Sequence, residues 1–177
     1  MKTIAKISGI LLVIALLGVI ITSCKKENQN ANITVRMTDS PADYLQVNVD
    51  ITGLEVHHES LGWISLPIKA GIYNLLDLQN SVSVVLADKA EFPIGHITQI
   101  RLILGSNNTV VTLSGIFPLT VRSGSETGLK INADQDILAN KSVDILFDFD
   151  ANASVVLEGN GKYSLKPVLR ILSITQI

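Results

Sequence analysis

The sequence predicts an all-β protein built as a single antiparallel β-sandwich. Roughly ten short segments alternate apolar and polar residues in the way that half-buried strands do. Turn-forming residues separate these segments at short intervals, and no segment keeps the 3.6-residue apolar period of a helix. Many short strands without helices favour two stacked antiparallel sheets. No internal linker or repeat divides the chain, so we expect one domain over residues 32–177.

The first 24 residues resemble a bacterial lipoprotein signal. Lys2 and Lys6 provide the positive charge that precedes an apolar run, and small residues lead from that run into Cys24. Ile21 stands three residues before this cysteine, where the lipoprotein cleavage motif has an aliphatic residue. Cys24 is the only cysteine of the chain, and its thiol is the group that lipid transfer would modify. We therefore expect residues 1–23 to be a signal peptide.

This segment has two alternative interpretations. A transmembrane helix needs roughly 20 apolar residues, and the uncharged run over residues 7–23 is slightly short. A plain secretory signal would leave Cys24 as a free thiol. With lipidation at Cys24, acyl chains such as palmitate hold the protein to membrane lipid, and residues 24–31 form a flexible polar tether. The expected localisation is the cell envelope, at the outer membrane.

Composition excludes one class of partner. The formal charge of the chain is −2 and becomes −4 without residues 1–23, because that segment holds Lys2, Lys6 and no carboxylate. A mildly acidic protein lacks the basic footprint of a nucleic-acid binder. With Cys24 lipidated, no disulfide can form, so the fold must depend on its apolar core.

Local signals predict several connections between strands. A change of apolar parity at Gly53 predicts a β-bulge, and Asn160-Gly161 between alternating runs predicts a hairpin. Residues 105–108 are expected to close another hairpin. The apolar residues 73–78 predict a buried strand, and residues 79–91 predict a loop with one helical turn.

Three acidic residues near the end of one predicted strand are candidates for chemistry. Asp144, Asp148 and Asp150 share one face of that strand, opposite the apolar residues. Carboxylates near a loop suit a hard cation such as calcium, but strand spacing would require further ligands from elsewhere. A solvated outer face is therefore the favoured interpretation, and cation binding by these three residues is the alternative that the sequence leaves open.

No other motif predicts a metal, cofactor or catalytic site. His57 and His58 are neighbours in a strand, so their side chains point to opposite faces and do not converge. His96 is isolated in the sequence. Residues 124–128 have neither the nucleophile-elbow spacing nor the lysine of a phosphate loop. The charges of Arg101 and Arg170 are expected to face outward. We predict a protein that is not an enzyme.

An ordered set of short motifs resembles a known family, the domain of unknown function 4382 of exported lipoproteins, many from Bacteroidota. The resemblance spans residues 33–172, and one departure is His96-Ile97, where a tyrosine two residues after the glycine is expected. The motifs are Thr38-Asp39-Ser40-Pro41, Leu75-Leu76-Asp77-Leu78, Pro93-Ile94-Gly95, Gln99-Ile100-Arg101-Leu102, Ser123 through Thr127-Gly128-Leu129-Lys130, Asp148-Phe149-Asp150-Ala151 with Ser154, and Tyr163 to Pro167. The resemblance implies an immunoglobulin-like or transthyretin-like sandwich in a binding or structural role, and it implies no catalytic residue.

Together these observations predict a lipoprotein of the cell envelope whose sandwich is a non-catalytic binding or structural module. Its partner would be an envelope protein or a glycan, contacted by loops such as residues 79–91 and 123–128. The alternative is a surface assembly or adhesion subunit that pairs sheet edges through the apolar tail 169–177. A hydrolase or metal-dependent enzyme is the least favoured class.

Overall fold

The computed structural model describes residues 30–121 and 128–177, which form thirteen strands. The first, β1, begins at Asn30, two residues before the expected start of the domain. The strands are β1 Asn30–Thr38, β2 Gln46–His58, β3 Gly62–Ser65, β4 Gly71–Asn74, β5 Val84–Pro93, β6 Gly95–Leu104, β7 Thr109–Thr112, β8 Gly115–Val121, β9 Leu129–Ile137, β10 Ser142–Phe149, β11 Val155–Leu157, β12 Tyr163–Leu165 and β13 Leu169–Gln176. Leu75–Leu78 is a 3-10 turn, and Ala151–Ser154 is a short helix, α1.

The smaller sheet has four strands in the order β13-β10-β1-β5. β1 pairs in parallel with β10, from Asn32 opposite Ser142 to Thr38 opposite Asp148, and antiparallel with β5. β13 pairs antiparallel with β10 and forms one edge of the sheet. Because β1 and β10 run in the same direction, the residues that follow both strands emerge at the same end of the sheet.

The larger sheet is organised around β2, which at 13 residues is the longest strand. β3 and β4 pair in turn with the two halves of one side of β2, and β6 and β7 do the same on its other side. β9 continues the sheet beside β6, while β8, β12 and β11 continue it beside β7. The pairing of β2 with β6 shifts register between Ile51 and Gly53, which confirms the predicted bulge at Gly53.

The two sheets enclose one apolar core, which confirms the all-β sandwich. Alternate residues of each strand face this core, so the apolar parity seen in the sequence is also the parity of burial. The largest fully buried side chains include Phe92, Phe147 and Phe149. Two strand pairs are parallel, β1 with β10 and β8 with β12, so both sheets are mixed. β11 and β12 form the predicted hairpin across Gly159-Asn160-Gly161.

The hairpin predicted at residues 105–108 is wrong. β6 and β7 do not pair with each other, because both lie along the same side of β2. Asp50 of β2 occupies the interruption between them: its carbonyl accepts from Gly105 N–H at 2.7 Å, and its Oδ2 accepts from Asn107 N–H at 3.2 Å. Its own N–H donates to the buried Asn108 Oδ1 at 2.8 Å. These contacts replace the missing strand hydrogen bonds, and only a residue without Cβ fits at Gly105.

The prediction for residues 79–91 is also wrong from Val84 onward. This part is β5, which pairs with β1 over most of its length. The helix propensity of these residues does not decide their conformation, because pairing with β1 stabilises them as a strand. The helical turn instead lies earlier, at Leu75–Leu78, within the predicted strand 73–78. Asn74 caps that turn, since its side-chain oxygen accepts from Leu76 N–H at 3.3 Å.

Candidate functional site

A polar cavity of about 400 Å³ lies where β1 and β10 end. Thr38 and Asp148 are partners in the parallel register, and Arg170 of β13 lies opposite Asp148 on its other side. Asp39 and Ser40 follow Thr38 directly and also line the cavity. We call this cavity the Asp148 pocket. It joins two motifs that are 108 residues apart in the chain, Thr38-Asp39-Ser40-Pro41 and Asp148-Phe149-Asp150-Ala151.

Asp148 is a buried charge with two partners. Only 1% of this residue is exposed. Ser40 donates its hydroxyl to Asp148 Oδ2 at 3.0 Å, and Arg170 Nη2 approaches the same oxygen at 2.8 Å. Arg170 Nη2 also donates to Ser40 Oγ at 2.9 Å, which closes a triangle of contacts. The expectation that Asp148 lies on a solvated outer face is therefore wrong. Arg170 of β13 and the turn that contains Asp39 and Ser40, here called the Ser40 turn, cover it. The charge of Arg170 does face outward, as predicted.

Asp39 is a second buried carboxyl in the same pocket, 5% exposed. Its Oδ1 accepts from the N–H of Ala151 at 2.8 Å, and its Oδ2 accepts from Gln79 Nε2 at 3.3 Å. Burial raises the pKa of Asp39 from 3.8 to about 6, and these two hydrogen bonds oppose the rise. The charges of Asp148 and Asp150 raise it further. The side chain thus joins the end of β1 to the start of α1 and carries a titratable proton in the pocket.

This pKa predicts that the contribution of Asp39 to stability falls as pH rises from about 4 to about 6. Because folding raises the pKa of Asp39, the folded chain binds more protons than the unfolded chain within this window. The free energy of unfolding should therefore fall with pH there, and Asp39→Asn, which keeps an acceptor for Ala151, should flatten the profile. Urea unfolding followed by the fluorescence of Trp63 measures this. Parallel profiles for the wild type and the variant between pH 4 and 6 would contradict it.

A matched control for that experiment is His96→Gln. Hydrogen bonding to Asp136 raises the pKa of His96, and the nearby Asp134 and Glu59 add to the rise. The folded chain therefore also binds more protons near this residue, but in the window that starts at the ordinary histidine value of 6.5. His96→Gln should therefore shift the free energy of unfolding by a constant amount below that pH and change its slope with pH only above it.

The rim of the pocket contains an unusual backbone turn. Asn80 and Ser81 both have positive φ, at 58° and 70°, a conformation that costs free energy for residues with a side chain. Thr38 Oγ1 lies 2.8 Å from the carbonyl of Leu78 and 2.7 Å from that of Val82, so it holds the two ends of this turn. The first residues of the predicted contact loop 79–91 therefore do line a cavity.

The other two carboxylates of the predicted acidic cluster have local partners. Asp144 pairs with Arg36 Nη2 at 2.6 Å. Asp150 caps α1, since its Oδ1 accepts from Ala153 N–H at 2.9 Å. Asp144 and Asp148 share a strand face as predicted, yet each carboxylate is already used. Over residues 30–121 and 128–177 the structure contains no group of three or more His, Cys, Asp or Glu side chains able to hold a metal ion.

The histidines do not converge. His57 Nδ1 contacts Thr98 Oγ1 at 2.7 Å on the outer face, whereas His58 is buried and its Nε2 lies 3.0 Å from the carbonyl of Ile94. His96 is exposed to the acidic end of β9, where its Nδ1 lies 2.8 Å from Asp136 Oδ1. The prediction that His57 and His58 point to opposite faces is confirmed.

Several predicted features lie elsewhere. Arg101 pairs with Glu55 on the outer face of the larger sheet, and its guanidinium lies 4.3 Å from the ring centre of Trp63. Cys24 and most of the loop 123–128 lie outside the described residues. None of the helices in the described part of the chain is both long and apolar enough to cross a membrane.

Sequence reasoning missed the pocket because its parts are distant in the chain. In the sequence, Asp39 is part of a short motif and Arg170 is predicted to be an outward charge, and no signal links either residue to Asp148. A signal was present: Asp148 follows the buried Phe147 and precedes the buried Phe149, and two large apolar neighbours favour a covered strand. What the sequence does not give is the parallel register that places Asp39 beside it.

Three comparisons with known proteins bear on this chain. Searches of curated proteins and of solved structures found none. The family model described as a domain of unknown function, DUF4382, matches residues 30–167. That span contains both motifs of the Asp148 pocket and every strand except β13. The chain therefore belongs to the DUF4382 family.

Proposed function

We propose that the protein is a lipid-anchored lipoprotein of the bacterial cell envelope, at the outer membrane, and that its sandwich is a non-catalytic binding module. The ligand would be a hydroxyl-rich molecule, a glycan, held in the Asp148 pocket. The observation that carries this proposal is the pocket itself, a cavity in which polar side chains from four separate segments converge. Cavities of this size accommodate small ligands.

The chemistry of the lining supports a neutral polar ligand. The lining contains charges of both signs, Arg36 and Arg170 as well as Asp39 and Asp148, and Arg36 is already paired with Asp144. The pocket therefore offers both donors and acceptors of hydrogen bonds. Sugar hydroxyls both donate and accept, so they suit it. Additional hydroxyl, amide and apolar groups come from Thr38, Ser40, Ser81, Ser83, Asn80, Pro41, Leu146 and Leu172.

The anchor is supported by the sequence alone. Cys24 is the single cysteine, and it follows a basic tip and an apolar run with an aliphatic residue at Ile21. Stable attachment to a bilayer requires more than one acyl chain, and bacterial lipoprotein processing supplies them at such a cysteine. The five residues from Lys25 to Gln29 would then connect the lipid to β1. A Bacteroidota source and palmitate as an acyl chain belong to the same proposal.

One experiment with two variants tests both the lipid anchor and the glycan pocket. Full-length protein is expressed in a bacterial host, fractionated, and assayed for binding to a panel of soluble neutral oligosaccharides. Ser83→Trp, which places a large ring in the pocket, should remain in the membrane fraction and lose oligosaccharide binding at least tenfold. Cys24→Ser should leave the membrane fraction and keep binding. Ser114→Trp, at the exposed turn between β7 and β8, is the matched control and should change neither property.

The lipid anchor and the glycan pocket can be refuted independently of each other. Retention of Cys24→Ser in the membrane would refute the lipid anchor. Absence of binding by wild-type protein at millimolar oligosaccharide, or equal binding by Ser83→Trp, would refute the glycan pocket. A folded Ser83→Trp, checked by circular dichroism and by cooperative thermal unfolding, is the condition for this comparison.

A further inference from the structure

We propose that two copies of this protein associate through β13, edge to edge and antiparallel, about a two-fold axis between Leu172 and Ser173. β13 is the terminal strand of the smaller sheet. A terminal strand presents a row of backbone donors and acceptors that another strand can pair with. The proposal goes beyond the binding function and depends neither on the lipid nor on a ligand in the pocket.

The other sheet edges in the described residues carry features that discourage pairing. β3, β4 and β11 have only three or four residues. β5 is irregular, with a register shift near Lys89 at φ 47°, and it ends in Pro93. β9 carries Lys130, Asp134 and Asp136. Short strands, bulges, prolines and charges are the ways in which proteins protect an edge.

β13 lacks most of that protection. It has eight residues, LRILSITQ, of which Arg170 is the only charged one. A bulge at Leu172 interrupts its pairing with β10, since Leu146 lies opposite Ser173 and Phe147 opposite Ile171. The residues that face the core, such as Ile171 and Ile174, are only half-buried. An additional strand alongside would cover them.

The exposure pattern of β13 is the same read from either end. Leu169, Ile171, Ile174 and Gln176 are half-buried, and the four residues between them are exposed. An antiparallel copy related by the proposed axis places Leu169 opposite Gln176, and Ile171 opposite Ile174. Residues whose side chains face the core therefore lie opposite residues of the same kind, and residues whose side chains face solvent do so too. This self-complementarity is what a two-fold interface requires, because the same surface serves both subunits.

The free backbone groups follow the same symmetry. Ile177 and Ser142 exchange two hydrogen bonds, at 2.9 and 3.0 Å, so residues 174 and 176 direct their backbone groups away from β10. Beyond the bulge, Asp150 N–H donates to the carbonyl of Val168 at 3.0 Å, so the backbone groups of residues 169 and 171 also point away from β10. In the proposed register the four residues whose backbone groups point away from β10 pair only with one another, and each pair can exchange two hydrogen bonds.

No pair of like charges lies opposite each other in this register, and a charge introduced at Thr175 tests it. Arg170 of one copy would lie opposite Thr175 of the other, twice by symmetry, and the Arg170 side chain is 60% exposed. Within its own chain, Thr175 is exposed and lies opposite Asp144. Thr175→Arg would therefore be favourable in the monomer but unfavourable between copies. Thr175→Glu would have the opposite effects.

The experiment is sedimentation equilibrium of the full chain in density-matched detergent. The wild type should form a dimer at concentrations up to about 100 μM, which is in the range for a modest interface. Thr175→Arg should weaken the dimer about tenfold, because it places a like charge opposite Arg170 twice, and Thr175→Glu should tighten it, because it places an opposite charge there. Thr120→Arg, at an exposed threonine on the interior strand β8, should have no effect.

Three results would overturn the proposal: a wild type that stays monomeric at 100 μM, a dimer that Thr175→Arg leaves unchanged, or a shift in the same direction for both Thr175 variants. Circular dichroism of both Thr175 variants shows whether the monomer stays folded, so that loss of the dimer is distinguished from unfolding. Binding of oligosaccharide by the Thr175 variants is measured alongside, and its loss or retention bears only on the pocket.

Discussion

Gly95→Ala is expected to lower the free energy of unfolding by about 4 kcal/mol, the sum of a backbone and a packing effect. Gly95 has φ 137°, which residues with a side chain rarely adopt. A Cβ at this position would also meet the ring of His58, with Cε1 at 2.8 Å and Nε2 closer still. His58 is buried and fixed on both sides, since its Nδ1 accepts from Ser60 N–H at 3.1 Å and its Nε2 lies 3.0 Å from the carbonyl of Ile94.

Gly115→Ala separates the two effects. Gly115 has almost the same φ, 138°, but a Cβ there would meet no atom within 4 Å. This variant should therefore show only the backbone cost, about 2 kcal/mol. Chemical denaturation of both variants gives the comparison. Equal losses of stability would contradict the role of His58 packing. The same contact explains the motif Pro93-Ile94-Gly95, because the chain passes from one sheet to the other directly against this ring.

The second large effect concerns the ion pair in the Asp148 pocket, whose two members should not be equivalent. Arg170→Ala leaves Asp148, which is 1% exposed, without its cation and near the carboxyls of Asp39 and Asp150. Breaking a buried pair in this way typically costs 3–5 kcal/mol; we expect about 2–3 because Arg170 is largely exposed and Ser40 still donates. Asp148→Asn leaves an exposed arginine instead and should cost about 1 kcal/mol or less.

A double-mutant cycle measures this asymmetry. Asp148→Asn combined with Arg170→Ala should be about as stable as Asp148→Asn alone, since the uncompensated charge is then absent. Additive losses would show that the two side chains act independently. Asp148→Asn should also move the pH profile of Asp39 to lower values, because the charge of Asp148 contributes to the raised pKa of that carboxyl.

The features that the sequence predicted correctly depend on a few consecutive residues. The bulge at Gly53 and the hairpin at Gly159-Asn160-Gly161 are encoded by local parity and turn chemistry. The errors occur where a distant strand decides the outcome. Residues 105–108 resemble a hairpin turn, but β2 is long enough to pair with both β6 and β7. The burial of Asp148 likewise requires β13 and the Ser40 turn, neither of which is near it in the chain.

The central position of β1 affects when this domain can fold. β1 lies between β5 and β10, and its contacts with β10 join residues that are 108 apart, such as Arg36 and Asp144. The smaller sheet therefore cannot assemble until the C-terminal quarter of the chain is present, and contacts of such long sequence separation form slowly. Until β10 has joined β1, the larger sheet has no complete partner sheet to pack against, so the apolar core between the two sheets cannot close.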